Sequence, residues 1–238
     1  MSKLPAQPNR SIIDGMEILQ ELATTKEPVS CSFLAQKLNM EKTRVNRILK
    51  TLAFAGFAYQ DKNRHYTGGP GMHVLAARSL HGSGLIQNSI KHLIKLTEHH
   101  FVVALGVLWR DQVSYLYHHI PGTDPLEGIG RLALHPAIGS SIGMIMMSEK
   151  NEPELEQLFT EPPENFPDFK SFIAELKKIR KQNYVLLEPG PNHRSLAVKL
   201  GNPAYAAIAL SGNIPSDKVS YFLKILRETA QKIDKDSL

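Results

Sequence analysis

One cysteine in the whole chain, Cys31, leaves no pair to form a disulfide. That excludes the disulfide-stapled secreted scaffolds and points to a reducing compartment, with the cytoplasm as the expected location. Long apolar runs are missing too. The longest, such as FVVALGVLW at 101–109, fall well short of the ~20 residues that a membrane-spanning helix needs. The opening MSKLPAQPNR has Lys3 and Arg10 but no apolar stretch behind them, so it does not read as a signal peptide. His118-His119 and His135 raise the question of a metal. Neighbouring residues on a strand point to opposite faces, however, and no close acidic or cysteine ligand accompanies them. Ser140 or Ser195 with His135 makes a hydrolase only on paper, since serine and histidine are too common to be informative. The expectation is no enzyme, no metal and no cofactor.

What is present describes a folded, soluble protein. With 42% apolar and 21% charged residues the chain is too hydrophobic and too weakly charged for disorder. Its 238 residues suffice for one large domain or two modest ones, either able to bury a core. Charge divides the chain unevenly. Residues 1–81 hold 11 Lys and Arg against 6 Asp and Glu, which accounts for the entire net charge of +5; the rest holds 17 of each. Phosphate is the simplest partner for that excess, because neutralising it releases counterions, although an acidic protein or a membrane surface also fits.

The stretch EKTRVNRILKTLAFAGF, residues 41–57, concentrates the feature. Val45, Ile48, Leu49 and Leu52 recur at offsets of three and four and form one helical stripe, while Arg44, Arg47 and Lys50 fall largely outside it. Gly56 suits the helix end, where a left-handed cap costs a glycine nothing. Such a helix lies on a membrane, binds a partner or enters the major groove, and the neighbouring sequence chooses. Residues 1–9 read as a loose tail, and Ile12, Met16, Ile18, Leu19 and Leu22 give a first helix ending near Ala23. A second starts at Val29-Ser30, with Ser30 as cap and Phe33, Leu34 and Leu38 as apolar positions. After Gly56 the period becomes two: FAYQ and RHYT flank DKN, a hairpin with its turn at 61–63. Three helices and a hairpin predict a winged helix-turn-helix over residues 1–70, the second short helix leading tightly into the basic one.

GGPG at 68–71 precedes a connecting helix over 71–82, whose Met72, Val74, Leu75 and Leu80 are expected to pack on a neighbour. Residues 83–238 form a second domain. A helix at 85–97 leads to strands FVVALGVLW and VSYLYHHI, joined at Arg110-Asp111. Helices follow at 138–148, 152–159 and 168–182, then strands YVLLE, SLAVKL and YAAIALSG, and a terminal helix over 216–234. Five strands among helices predict an α+β domain with an antiparallel sheet, the first and last helices side by side on one face.

On these residues the chain resembles the IclR-type bacterial transcriptional regulators. The likeness runs from Arg10-Ser11 through VSCSFLAQKLNMEKTRVNRILKTLAFAGF to Arg64-His65-Tyr66-Thr67-Gly68. It resumes in GRLALHPAIGSSIGMIMM at 130–147, ELKKIRKQNYVLL at 175–187 and AVKLGNPAYAAIALSG at 197–212. Departures are visible: Asn183 stands where a glycine is usual, Ser140-Ser141 replace a glycine-lysine pair, Pro136 replaces a small residue, and the cysteine-bearing segment is NHRSLAV. The resemblance implies a homodimer, often paired into a dimer of dimers, on double-stranded operator DNA. It also implies a GAF-like second domain binding a small organic or aromatic acid. A ligand-free dimerisation or protein-interaction domain is the alternative.

Candidate site residues follow. At the start and outer face of the basic helix, Lys42, Thr43, Arg44, Asn46 and Arg47 approach base edges; arginine offers guanine a bidentate fork, asparagine pairs with adenine, and the threonine methyl touches thymine. Arg47 reads a base or positions a phosphate. Lys50, Lys62 and Arg64 suit phosphates, and Ser30 caps a helix whose amides can receive one. For a small carboxylate, Gly139, Ser140 and Ser141 sit at the expected helix start, Arg194 offers a fork, Ser195 and Ala197 share a strand face, and Ser211 closes the last strand.

Overall fold

The computed structural model describes residues 7–129 and 134–237. Most of the expected N-terminal tail, and the GRLA that opens the 130–147 segment, lie outside the described residues. The chain divides between Ser83 and Gly84 into two compact units.

In the first unit, α1 (Arg10–Thr24) is capped by Asn9, whose side chain accepts from the amides of Ser11 and Ile12, and it buries Ile18 and Leu22. A two-residue strand β1 (Val29–Ser30) leads into α2 (Cys31–Lys37), where Ser30 Oγ accepts from Phe33 N at 3.1 Å. The basic helix α3 (Lys42–Phe54) buries Val45, Ile48 and Leu49 against Ile18, Leu22 and Leu34. Gly56 ends it at φ 78°. The Phe57 amide reaches back to Leu52 O at 2.8 Å and the Gly56 amide to Ala53 O at 3.1 Å. That pair of bonds is the Schellman cap, which needs a residue tolerant of positive φ.

The wing is β2 (Ala58–Gln60) and β3 (His65–Gly68), and β1 pairs β3 on its other side, giving an antiparallel sheet of order β1-β3-β2. The wing turn extends one residue past its expected end. Asp61 Oδ1 accepts from Asn63 N at 2.9 Å and His65 N at 2.8 Å, and Arg64 takes a left-handed conformation. One apolar position of α2 and most of α4 stay outside this unit's core. Phe33, expected inside, is 45% exposed. The helix α4 (Pro70–Gly82) buries no residue: Met72 reaches the core, but Val74 and Leu75 stay 55% and 58% exposed. Covering such a side chain is worth about 1.5–3 kcal/mol, so α4 is left with an unfilled apolar face.

The second unit starts with α5 (Leu85–Thr97), followed by β4 (Val102–Trp109), β5 (Gln112–His119), β6 (Leu134–Pro136) and α6 (Ser141–Met147). The chain continues through α7 (Glu152–Leu158), α8 (Phe169–Gln182), β7 (Val185–Gly190), β8 (His193–Leu200), β9 (Ala206–Gly212) and α9 (Val219–Asp236). The sheet is antiparallel, of order β6-β5-β4-β9-β8-β7. It has one strand more than the five expected, because LHP at 134–136 is too short to show a period of two. Asn183, in place of the usual glycine, ends α8 at φ 57°; asparagine is one of the few side chains that tolerate this conformation.

Alternation along the strands sorts large from small residues. Leu105, Leu196, Val198, Ile208 and Leu210 face one core, which α5 and α9 cover side by side as expected. Ala104, Ala197, Ala207 and Ala209 face the other, so α6 can lie close to the sheet with α8 beside it. All seven residues of α6 are buried.

Candidate nucleic-acid interface and ligand pocket

On α3 the buried stripe of Val45, Ile48 and Leu49 leaves Thr43, Asn46, Arg47 and Lys50 exposed. The start of this helix, the start of α2 and the wing enclose a groove of about 480 Å³. Ser30, Lys42, Thr43, Asn46 and Arg64 meet there, five of the nine expected contact residues. Ser32 and Gln60 join them, and neither was singled out from the sequence. Ser32 follows the cap on α2, and Gln60 is where β2 turns into the wing; only the fold places them beside Asn46. The Ser30 hydroxyl is committed to capping. Cys31 sits in the same groove with Sγ 3.5 Å from Lys42 O. Burial pushes its thiol up, and Lys42 only partly opposes that, so it stays protonated rather than becoming a nucleophile.

Lys50 is exposed further along α3 and Lys62 at the wing turn, outside the groove. Arg47 is exposed but borders an apolar furrow with Ile12, Met16 and Leu19 of α1. Arg44 is placed elsewhere. It leaves the helix on the α1 flank and forms an ion pair with Asp14, rather than entering the groove. Its Nε is buried and its N–H is not aligned on the carboxylate, so the contact is electrostatic rather than a directed hydrogen bond.

In the second unit a cavity of about 310 Å³ lies between the sheet and the start of α6. It brings together Gly139, Ser140, Ser141, Ser195 and Ser211. Its polar groups are paired: Tyr115 OH with Ser140 Oγ at 2.9 Å, Ser141 Oγ with Ser195 Oγ at 2.7 Å, and His193 Nε2 with Ser211 Oγ at 2.8 Å. Val102, Ala104, Leu187 and Ala209 supply the apolar wall.

Two expected residues are elsewhere. Arg194 alternates with Ser195 and so faces the opposite side of the sheet, where its Nε donates to Glu188 at 2.7 Å and its Nη1 to Ile214 O at 2.7 Å. Ala197 shares the Ser195 face but is fully buried in the core beyond the cavity. The anion-binding helix start also falls short. Helix α6 begins at Ser141 and is seven residues long, and the Ser140 hydroxyl already accepts from Gly143 N at 3.3 Å. Among the described residues no Lys or Arg lines the cavity; His118 and His193 bring imidazoles to it.

Tyr115 and His118 were not singled out as ligand contacts. They stand three apart on β5, and simple alternation would put them on opposite faces. A bulge opposite Leu105/Gly106 shifts the register, pairing Tyr115 with Gly106 and His118 with Ala104, so both face the cavity. His119 points the other way and is buried, with Nε2 3.1 Å from Thr123 O. Among the described residues no group of three His, Cys, Asp or Glu is placed to hold a metal.

The segment GSSIG at 139–143 matches the G-x-S-x-G spacing of a hydrolase nucleophile elbow. An elbow holds its serine on a sharp turn between strand and helix. Here Ser141 is the first residue of α6 and its Oγ is bonded to Ser195. Gly143 has a packing role instead: a Cβ there would come within 2.1 Å of Ala137 O. Gly143→Ala should therefore lower stability by about 1–3 kcal/mol in chemical denaturation, without changing DNA affinity of the folded protein.

A basic helix-turn-helix with a wing, followed by an α+β domain, defines a winged-helix DNA-binding protein with an accessory domain. Residues 12–62 match the IclR helix-turn-helix domain. The chain is 24% identical over 185 residues to the HTH-type transcriptional regulator KdgR of Escherichia coli (strain K12), across 73% of this chain and 69% of that protein. A solved IclR transcriptional regulator from Silicibacter sp. TM1040 superposes with a TM-score of 0.78 at 18% identity, covering 95% of this chain and 96% of that one. An IclR homolog from Microbacterium hydrocarbonoxydans, solved with 4-hydroxybenzoate, gives a TM-score of 0.67 at 18% identity over 95% and 98% of the two chains. Residues 12–62 therefore carry a helix-turn-helix of the IclR type, and the chain is similar along most of its length to transcriptional regulators that share this fold. Among the described residues no helix is long and apolar enough to cross a membrane.

Proposed function

We propose that this protein binds double-stranded operator DNA as a homodimer in the cytoplasm, and that a small carboxylic acid held in the second unit changes its affinity for that DNA. In this reading residues 1–70 bind DNA, 71–82 connect, and 83–238 bind ligand and oligomerise. The observation that carries it is the meeting of Lys42, Thr43, Asn46 and Arg64 in one groove between α3 and the wing, on the part of the chain that holds the whole positive excess. Thr43 and Asn46 then face base edges, while Lys42, Arg47, Lys50, Lys62 and Arg64 hold phosphates. Titrating the protein against genomic fragments that include its own promoter tests the claim; uniform weak binding with no preferred site would sink it.

For the ligand, the cavity has the small volume and mixed lining of a small-molecule site. In each hydroxyl pair, Tyr115–Ser140 and Ser141–Ser195, one O–H is used in the bond and the other is left to donate to a carboxylate. The Microbacterium homolog was solved with 4-hydroxybenzoate, which makes that compound a first candidate for screening here. A ligand-free interaction domain is the second reading, favoured by how completely Tyr115, Ser141 and His193 already pair with cavity neighbours.

The dimer reading rests on α4, whose Val74 and Leu75 need a partner surface. A Val74→Glu/Leu75→Glu variant should weaken self-association at least about tenfold in analytical ultracentrifugation, the equivalent of 1.4 kcal/mol. Unchanged association would take α4 out of the interface. Pairing of dimers is an extension that the same experiment reads.

A further inference from the structure

The bases that this helix reads depend on which donors it presents. Arg44 is the arginine nearest the start of α3 and sits next to Thr43, yet it is held on the other flank. Asp14 of α1, with its side chain only 13% exposed, pairs with the Arg44 guanidinium, and Arg44 Nε is out of reach of solvent. The cleft around the pair is acidic: Asp14, Glu17 and Glu41 line it, against Arg10 and Arg44. The groove that receives base edges is lined instead by Thr43 and Asn46, with Lys42 at its rim. Asparagine makes its bidentate pair with adenine and the threonine methyl packs on thymine, whereas α3 itself presents no guanine-reading arginine fork in this groove; the arginine that does line it, Arg64, belongs to the wing turn.

We propose that Asp14 is a specificity-determining residue: it withholds Arg44 from the operator, so that the start of α3 reads A·T pairs through Asn46 and Thr43. The idea rests on the reading above that α3 enters the major groove. Asp14 acts here as a positioning residue, since it touches no base itself. Its effect is to remove an option from the helix, and losing its charge returns that option.

The test is selection of binding sites from a randomised duplex library by the full-length protein, in four forms: wild type, Arg44→Gln, Asp14→Asn and the double variant. The wild type and Arg44→Gln should enrich the same sequence, with A·T pairs under the first turns of α3, and should bind it within about threefold of each other. Asp14→Asn should gain a guanine preference of at least about tenfold at one position in each half-site. That preference should vanish in the double variant, which keeps a neutral, hydrogen-bonding pair at the two positions. Asn46→Ala should lose one A·T position. A purely structural role for Asp14 would change affinity or melting temperature and leave base preference alone, which would overturn the proposal. So would a guanine in the wild-type site that relaxes in Arg44→Gln. Should Asp14→Asn fail to fold, the Arg44→Gln arm decides by itself. A wild type that enriches no sequence removes the operator reading, and the proposal with it, whereas a clear site with the wrong base pattern removes the proposal alone.

Discussion

Raising salt from about 50 to 200 mM should weaken operator binding by on the order of 10³- to 10⁵-fold, the loss expected of a protein making ~6–10 phosphate contacts. The count comes from the side chains. Lys42, Arg47, Lys50, Lys62 and Arg64 are exposed on α3 and the wing, and none of them is engaged in an ion pair among the described residues. Lys37 and Arg44 do not contribute, because Glu21 and Asp14 already neutralise them. Five cations in each protomer make about ten in a dimer, each releasing nearly one counterion. Lys62→Ala should then flatten the slope of log affinity against log salt by about two units, one from each protomer, and weaken all sequences alike. Fluorescence anisotropy with a labelled duplex reads both quantities. A nearly flat salt dependence would contradict phosphate contact by this face, and a sequence-dependent effect of Lys62→Ala would put that residue on a base.

How far the sequence carried the argument depends on the kind of signal. The helical stripe of Val45, Ile48 and Leu49 is periodic, and the fold follows it, because a local pattern with one apolar face leaves the chain little choice about which side is buried. The small-residue face of Ala104, Ala197, Ala207 and Ala209 is likewise written in alternation. Arg44 meets a partner thirty residues earlier, which its helical position does not announce: position says where a side chain starts, not which carboxylate it meets. Strand parity, not residue type, sets where Arg194 is placed. Its neighbour Ser195 faces the cavity, so Arg194 cannot. Tyr115 and His118 were hidden for the opposite reason, since the β5 bulge breaks the parity on which such a reading depends. Short elements left no period to detect: β1 has two residues and β6 three.

Filling the cavity should abolish the response to ligand while sparing DNA binding. Ser195→Phe places a ring where the Ser195 hydroxyl now meets Ser141, against the wall formed by Ala104 and Ala209. In the wild type, an acid at a hundredfold excess over its Kd should stabilise the folded second unit by about 2.7 kcal/mol. For a unit of this size that is roughly 5–10 °C in thermal unfolding. The variant should show no shift with the same acid, and its operator affinity should be the same with and without it, because a ligand moves an equilibrium only by its differential affinity for the two states. Ser211→Ala is the milder companion: it removes the partner of His193 without adding bulk, and should weaken the acid about tenfold while leaving the cavity open. A full thermal shift in Ser195→Phe would place the ligand elsewhere. If no acid shifts even the wild type, the interaction-domain reading stands, with the hydroxyl and imidazole pairs serving to close the cavity on itself.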